Sequence, residues 1–340
     1  MNIKKIISCA TKISVFVCVS IILVLFGCER DNLGSPDQNP YSNPSDTQSK
    51  SIQVYISRMD HADGNLESFL TVRNQAGKQI GNLKSSNFYD GMSSLLSGSG
   101  YPVNAYRFSD NDSLPGATVL IMDYNCSMYP PEDPVGSVAL MEQAALQYAV
   151  TKPATDYMEI IRVSWTFEVN IGFTQDNNAL INTIYASWPH ECGVEGKTGS
   201  VLFNAILHAV NDLRNIRAMP AIVLMTDGLD QSDKTYEDVL AAVNEYNIPL
   251  FSIGLSWAYH DLLQYFADQT FGYYTYYPST NELNKIINLT KNYINTSYFL
   301  QWANPENSVP SDTTICASYQ AAAGLLVGCS SSTVTNLTGM

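Results

Sequence analysis

Ala117-Thr118-Val119-Leu120-Ile121-Met122 runs directly into Asp123-Tyr124-Asn125-Cys126-Ser127, and Ala221-Ile222-Val223-Leu224-Met225 runs into Thr226-Asp227-Gly228. Each stretch is an unbroken apolar run that stops at an acid among turn-forming residues. A strand with one wet face alternates apolar and polar positions, whereas a strand covered by helices on both faces reads as a continuous run. Leu250-Phe251-Ser252-Ile253-Gly254 is a shorter run of the same kind, and Glu159–Val163 with Phe167–Ile171 reads as a hairpin pair. Helical stretches are expected between them at Val135–Val150, Asn177–Tyr185, Val201–Arg217, Thr235–Asn247, His260–Gln269 and Glu282–Tyr293. In the third of these, Leu202, Ile206, Ala209, Val210 and Leu213 recur at the three-and-four spacing of a helix with one buried face. This alternation implies an α/β fold, a doubly wound and mostly parallel sheet flanked by helices, over residues 115–295.

The flanks have a different texture. Residues 51–114 carry short alternating segments, Ile52–Ile56 and Phe69–Val72, punctuated by Asp63-Gly64, Ala76-Gly77 and Ser97 to Gly100, the pattern of a small antiparallel β unit. Strand texture returns at Tyr298-Phe299-Leu300-Gln301-Trp302, so residues 296–340 read as a returning β segment with a frayed tail. Residues 28–50 hold Pro36, Pro40 and Pro44 among Asn, Asp, Ser and Gln and read as a flexible tether.

Residues 1–27 read as a signal peptide. Lys4, Lys5 and Lys12 are followed by the uncharged run Ile13–Phe26, short for a membrane span. Leu25-Phe26-Gly27-Cys28 resembles the bacterial lipobox, which makes Cys28 the expected lipidation site and the bacterial cell envelope the expected location. Phe26 is bulky for its position, and an uncleaved signal anchor is the alternative. With Lys+Arg 18 against Asp+Glu 32, a formal charge of −14 and no basic cluster, nucleic-acid wrapping is excluded. Of the seven cysteines, Cys9 and Cys18 leave with the signal and Cys28 takes lipid. An even remainder in an exported chain, Cys126, Cys192, Cys316 and Cys329, suggests two disulfides, with three pairings open.

Open α/β sheets bind ligands beyond the carboxyl ends of their strands, where strand order reverses. Asp123, Asn125 and Ser127 follow one buried run, Asp227 follows the other, and Ser200 precedes the helix starting near Val201. These five side chains offer only hard oxygen donors, which suits Mg²⁺ rather than Zn²⁺, with Mn²⁺ or Ca²⁺ as alternatives. Few negative ligands leave such a cation electrophilic, with an open position for an outside carboxylate.

These residues resemble a von Willebrand factor type A domain with its metal-ion-dependent adhesion site. The family's D-x-S-x-S loop is similar to Asp123-Tyr124-Asn125-Cys126-Ser127, with Asn in the middle position. G-T-x-L-x-x-A is similar to Gly199-Ser200-Val201-Leu202-Phe203-Asn204-Ala205, and T-D-G to Thr226-Asp227-Gly228. Asn247–Gly254 and Leu262–Tyr273 resemble its later blocks, and Val72–Leu83 with Asn87-Phe88 resembles a segment that often precedes the domain in secreted bacterial proteins. The resemblance implies direct coordination by Asn125, Ser127 and Ser200, with Asp123 and Asp227 acting mainly through water. It also implies that the α/β domain is inserted in a β-sandwich built from both flanks. A degenerate site, whose acids merely cap loops and helices, is the alternative.

The resemblance ranks the disulfides. Cys126 and Cys192 flank loops that the fold brings together, and Cys316 and Cys329 lie in the terminal β segment, so 126–192 and 316–329 are favoured. A free Cys126 thiol is the alternative. Tyr124, Met128 and Tyr129 are expected to surround the metal as a partner contact. Phe271, Tyr273, Tyr274, Tyr276 and Tyr277 either pack on an edge strand or extend that contact. Gly193–Thr198 is not a phosphate loop, because Glu191 stands where the first Gly is required, so no nucleotide is expected. No nucleophile, base and orienter share a context, and His208 reads as packing, so no enzyme is expected. The expected function is an exported, lipid-anchored adhesion or binding protein that uses its cation to engage a carboxylate on a protein partner. The alternative is a metal-independent structural or assembly component of the envelope.

Overall fold

The computed structural model describes residues 49–62, 64–91, 100–111, 113–129, 136–186, 199–276, 280–303, 313–322 and 324–332. The expected signal peptide (residues 1–27), Cys28, Cys192 and Tyr277 lie outside these residues.

A six-stranded sheet forms the centre, from β5 (Gly116–Asp123), β6 (Tyr157–Val163), β7 (Phe167–Thr174), β8 (Met219–Thr226), β9 (Leu250–Gly254) and β10 (Tyr273–Tyr276). Their spatial order is β10-β9-β8-β5-β6-β7. All neighbours are parallel except β6 and β7, which pair antiparallel as the hairpin reading expects. Every residue of β5 and β8 is buried, because helices cover both faces. Leu120 and Met122 face one layer, made by α1 (Ser137–Thr151), α2 (Asn177–Tyr185) and α6 (Thr280–Asn295). Ala117, Val119 and Ile121 face the other, made by α3 (Leu202–Leu213), α4 (Tyr236–Glu245) and α5 (His260–Thr270). This is the doubly wound, mostly parallel sheet expected from the two apolar runs.

The helix starts follow local chemistry. The Asp176 carboxylate accepts from the Asn178 and Ala179 amides at the start of α2, and Thr235 with Asp238 makes a capping box for α4. Val201 has no side chain able to cap α3. The Asp230 carboxylate reaches across and accepts from the Phe203 amide at 3.0 Å, tying the loop after β8 to the start of α3. Helix α3 ends at Leu213, short of the expected Arg217, and residues 214–218 form turns before β8.

The flanks form two antiparallel sheets. One has the order β1 (Ile52–Ala62), β2 (Asn65–Asn74), β11 (Tyr298–Ala303), β4 (Asn104–Arg107); the other has β13 (Gly324–Ser332), β12 (Thr313–Ala321), β3 (Phe88–Asp90). Val54, Leu70, Leu300 and Trp302 meet Phe88, Ile315 and Ala317 in a core between them. The returning strand β11 sits between β2 and β4, with Phe299 opposite Phe69 and Tyr106. Phe69 and Phe299 point away from that core and join Phe108 and the α6 side of the central domain. Cys316 and Cys329 are directly opposite on β12 and β13 and are disulfide-bonded.

Candidate functional site

The order of the central sheet reverses between β5 and β8: from β5 the chain moves to β6 on one side and later returns to β8 on the other. The crevice beyond the carboxyl ends of these two strands receives Asp123 from β5 and Asp227 from the residue after β8. Tyr124 extends the pairing with β6 by donating its amide to the Val163 carbonyl at 2.7 Å. The chain then turns sharply. The Asn125 amide donates to Asp123 Oδ1 (3.0 Å), and the Ser127 amide donates to Asn125 Oδ1 (2.8 Å), capping a short 3-10 turn over Cys126–Met128.

The second loop is locked to the first. Thr226 Oγ1 donates to Asp123 Oδ2 at 2.6 Å and accepts the Gly228 amide at 2.9 Å, while the Leu229 amide donates to Asp227 Oδ1 at 2.9 Å. Gly228 takes φ +80°, where a Cβ is disfavoured. Ser127 Oγ contacts both Asn125 Oδ1 and Asp227 Oδ2 and shares its one proton between them. The third loop arrives at Gly199 and Ser200; the Val201 amide donates to the Ser164 carbonyl and the Gln231 amide donates to the Ser200 carbonyl.

Asp123, Asn125, Ser200 and Asp227 are buried. Burial, and then the neighbouring Asp227 carboxylate, push the Asp123 carboxyl up to about 8, against the opposing hydrogen bonds from Thr226 and Asn125. Ser200 Oγ is buried with no hydrogen-bond partner among the described residues. An orphaned hydroxyl on a loop bonded to those that follow β6 and β8, together with the carboxylate, amide and hydroxyl oxygens of Asp123, Asn125, Ser127 and Asp227, fits a hard dication, which would supply the missing partner.

The aromatic contact expected from Tyr124, Met128 and Tyr129 needs correction. Tyr124 and Met128 are buried in the core of the central domain, and Tyr129 is half-buried against it. Tyr124 donates its hydroxyl to Glu142 Oε1 (3.1 Å), and the Arg162 guanidinium lies 5.3 Å from its ring. The apolar run does not stop at Asp123; it continues inward because α1 covers the turn. The residues that do reach solvent beside the site are Trp257, 72% exposed, and Tyr259, 57% exposed. Their loop is pinned to both site loops: Ser256 Oγ donates to the Ser127 carbonyl at 2.6 Å, and the Tyr259 amide donates to the Asp227 carbonyl at 2.7 Å. Tyr276, also exposed, donates to the Ser256 carbonyl at 2.9 Å. Ser256 and Trp257 were not singled out from sequence, since a lone Ser and Trp after a short strand carry no periodic signal. Tyr273 packs on the edge strand β10, under Lys285, while Phe271, at the end of α5, packs on Tyr55. Cys126 is disulfide-bonded, which disposes of the free-thiol alternative; its partner, like Cys192, lies outside the described residues. His208 packs against Phe167 and lies 3.1 Å from Asp212.

Comparison with known proteins agrees with this architecture. The family model of the von Willebrand factor type A domain matches residues 138–289, a span that holds Ser200 and Asp227 and begins after the Asp123 loop. Residues 138–289 are thus matched as a von Willebrand factor type A domain. No curated protein matches the chain. Among solved structures it is similar to BatB from Bacteroides thetaiotaomicron at 12% identity, covering 52% of this chain and 97% of that one, with a TM-score of 0.44. It is similar to a mussel byssus proximal thread matrix protein, solved with zinc in its MIDAS motif, at 14% identity, with 52% of this chain and 48% of that one covered and a TM-score of 0.41. It is also similar to the manganese-loaded TRAP protein of Plasmodium vivax at 14% identity, with 67% and 95% covered and a TM-score of 0.41.

Proposed function

We propose that this chain is a binding protein whose von Willebrand factor type A domain holds a divalent cation and offers it to a carboxylate on a protein partner. Asn125 Oδ1, Ser127 Oγ and Ser200 Oγ would be the direct ligands, with Asp123 and Asp227 placed behind them. The observation that carries this reading is the cluster of mutually contacting Asn125, Ser127 and Asp227 side chains, joined by an orphaned, buried Ser200 hydroxyl on the loop whose backbone bonds Ser164 and Gln231. A cation there supplies Lewis acidity to an incoming anion, and the chain supplies neutral oxygens that leave much of its charge unquenched. Mg²⁺ suits these ligands, and Mn²⁺ has the same preference for hard oxygen. Trp257, Tyr259 and Tyr276 would form the rim of the contact, a composition favoured in binding hot spots.

Thermal melting tests this reading. Saturating Mg²⁺ or Mn²⁺ should raise the melting temperature of the wild type by about 4 °C, as expected when a ligand at about 100 times its Kd binds the folded state alone. EDTA should reverse the gain, and Asp123→Ala should abolish it. A wild-type melting curve unmoved by either metal would defeat the proposal and favour the metal-independent envelope component. We also propose that the chain is lipid-anchored in a bacterial envelope through Cys28, on the strength of Lys4, Lys5, the apolar run and Gly27-Cys28. Cys28→Ser should move the protein from the membrane to the soluble fraction.

A further inference from the structure

Asp123 and Asp227 lie side by side at the ends of neighbouring parallel strands, both shielded from water. Ionising two buried acids so placed is costly, and without a donor shared between them the loops that bear them should draw apart when no cation is present. We propose that Asn125 prevents this: its side-chain amide clamps the two acids together, so that the site is assembled before metal arrives. This inference rests on the reading of the site as a cation centre.

The geometry is specific to an amide. Asn125 Nδ2 donates to Asp123 Oδ2 at 3.1 Å and to Asp227 Oδ1 at 3.3 Å, the latter across 102 residues of sequence. Its carbonyl Oδ1 turns the other way and accepts from the Ser127 amide and hydroxyl. Both N–H donors and the carbonyl oxygen therefore have partners, and the oxygen stays on the side from which Ser127 faces the site. A serine hydroxyl, which the family's loop pattern places here, has one proton and can reach one acid but not both. It leaves the bridging of the two acids to the cation and its waters. The Asn125 side chain has a positively polarised end for the acids and a negatively polarised end for the cation. It is fixed in place by its own amide, which donates to Asp123 Oδ1 at 3.0 Å. The consequence is a site that costs little ordering when it binds metal, because two of its loops are already joined.

Melting of the full chain in EDTA and in saturating Mg²⁺, for wild type, Asn125→Ser and Asn125→Asp, tests the clamp. In EDTA, Asn125→Ser should melt about 4 °C below wild type, the shift expected for losing hydrogen bonds to buried charged groups in a chain this long. Asn125→Asp, which adds a third carboxylate, should melt lower still. Mg²⁺ should stabilise both variants more than it stabilises wild type and so narrow the gap. Equal melting of wild type and Asn125→Ser in EDTA overturns the clamp, whatever Mg²⁺ does. A gap in EDTA with no effect of Mg²⁺ on any of the three proteins keeps the clamp and removes the cation reading instead. If Asn125→Ser does not fold, hydrogen exchange of the wild type decides. The amides of Asn125, Ser127 and Leu229 should keep protection in EDTA within about tenfold of that in Mg²⁺, and loss of protection at all three overturns the proposal.

Discussion

Glu159 is buried on β6, on the face of the central sheet covered by α3. Burial first, and then the Asp212 carboxylate on α3, push its carboxyl up to about 8; the protonated Glu159 donates to Asp212, while its Oε1 has no hydrogen-bond partner among the described residues. A carboxyl whose folded pKa is raised holds a proton in the native state that the unfolded chain has already released. Stability from this group therefore falls as pH rises from about 4.3, the unfolded value, and levels off above about 8. Glu159→Gln should flatten that part of the stability-against-pH curve and melt above wild type at pH 9, measured in EDTA so that cation binding does not contribute. An equally steep wild-type and variant curve would assign the slope to another group. Nothing in the residue pattern marks Glu159 as unusual, because it sits within an otherwise apolar strand and its partner is more than fifty residues away in sequence. Asp123, Asn125, Ser127, Ser200 and Asp227, by contrast, stand out in the sequence one by one, since each lies in a loop that follows a buried apolar run or precedes an amphipathic helix.

At the scale of elements, β10 is the shortest strand of the central sheet and its approach to β9 depends on one residue. A Cβ on Gly272 would lie 1.8 Å from the Leu250 carbonyl oxygen, so the two backbones pass closer than any side chain permits. The preceding Phe271 caps α5 in the left-handed region at φ 56°, and Thr270 Oγ1 accepts the Leu250 amide at 3.0 Å, so helix end and strand start are tied at one point. Gly272→Ala cannot be absorbed by a side-chain rotation. It should cost about 3 kcal/mol, the upper end for overpacking, read as a shift in the urea midpoint at constant slope. A cost below about 0.5 kcal/mol, the range of neutral surface changes, would show that β10 can slide. The elements themselves followed from hydrophobic period. Helices α2 and α5 begin at the expected residues, and β6–β7 form the expected antiparallel pair, because caps and alternation are local signals. The early end of α3 was not readable, since Asn215, Ile216 and Arg217 suit a helix and are turned aside to enter β8.

In the whole molecule, the β-sandwich and the α/β domain are joined by packing rather than by a hinge. Arg73, buried on β2, lies 4.6 Å from the Phe271 ring centre and 5.6 Å from that of Tyr293, and donates to the Phe271 carbonyl. Asn247 Nδ2 donates to the Ile56 carbonyl at 2.8 Å, and Arg217 Nε donates to Glu67 at 2.8 Å. An arginine enclosed by aromatic rings contributes about 2 kcal/mol when desolvated. Arg73→Ala should therefore lower global stability by about that much and separate one calorimetric transition into two. A single unshifted transition would show that the aromatic contacts alone couple the units.

Local order in this chain is dictated by its residues. Unbroken apolar runs require cover on both faces, the three-and-four spacing requires an amphipathic helix, and acids at strand ends fall at the mouth of the sheet. The doubly wound α/β architecture and the gathering of oxygens at its crevice follow from those patterns. Tertiary structure alone decided which aromatic residues face solvent, that Glu159 meets Asp212, and that the Asn125 amide spans two acids. These depend on where separate segments come to rest against each other, and burial, dielectric and hydrogen-bond geometry between segments have no representation in the order of residues along either one.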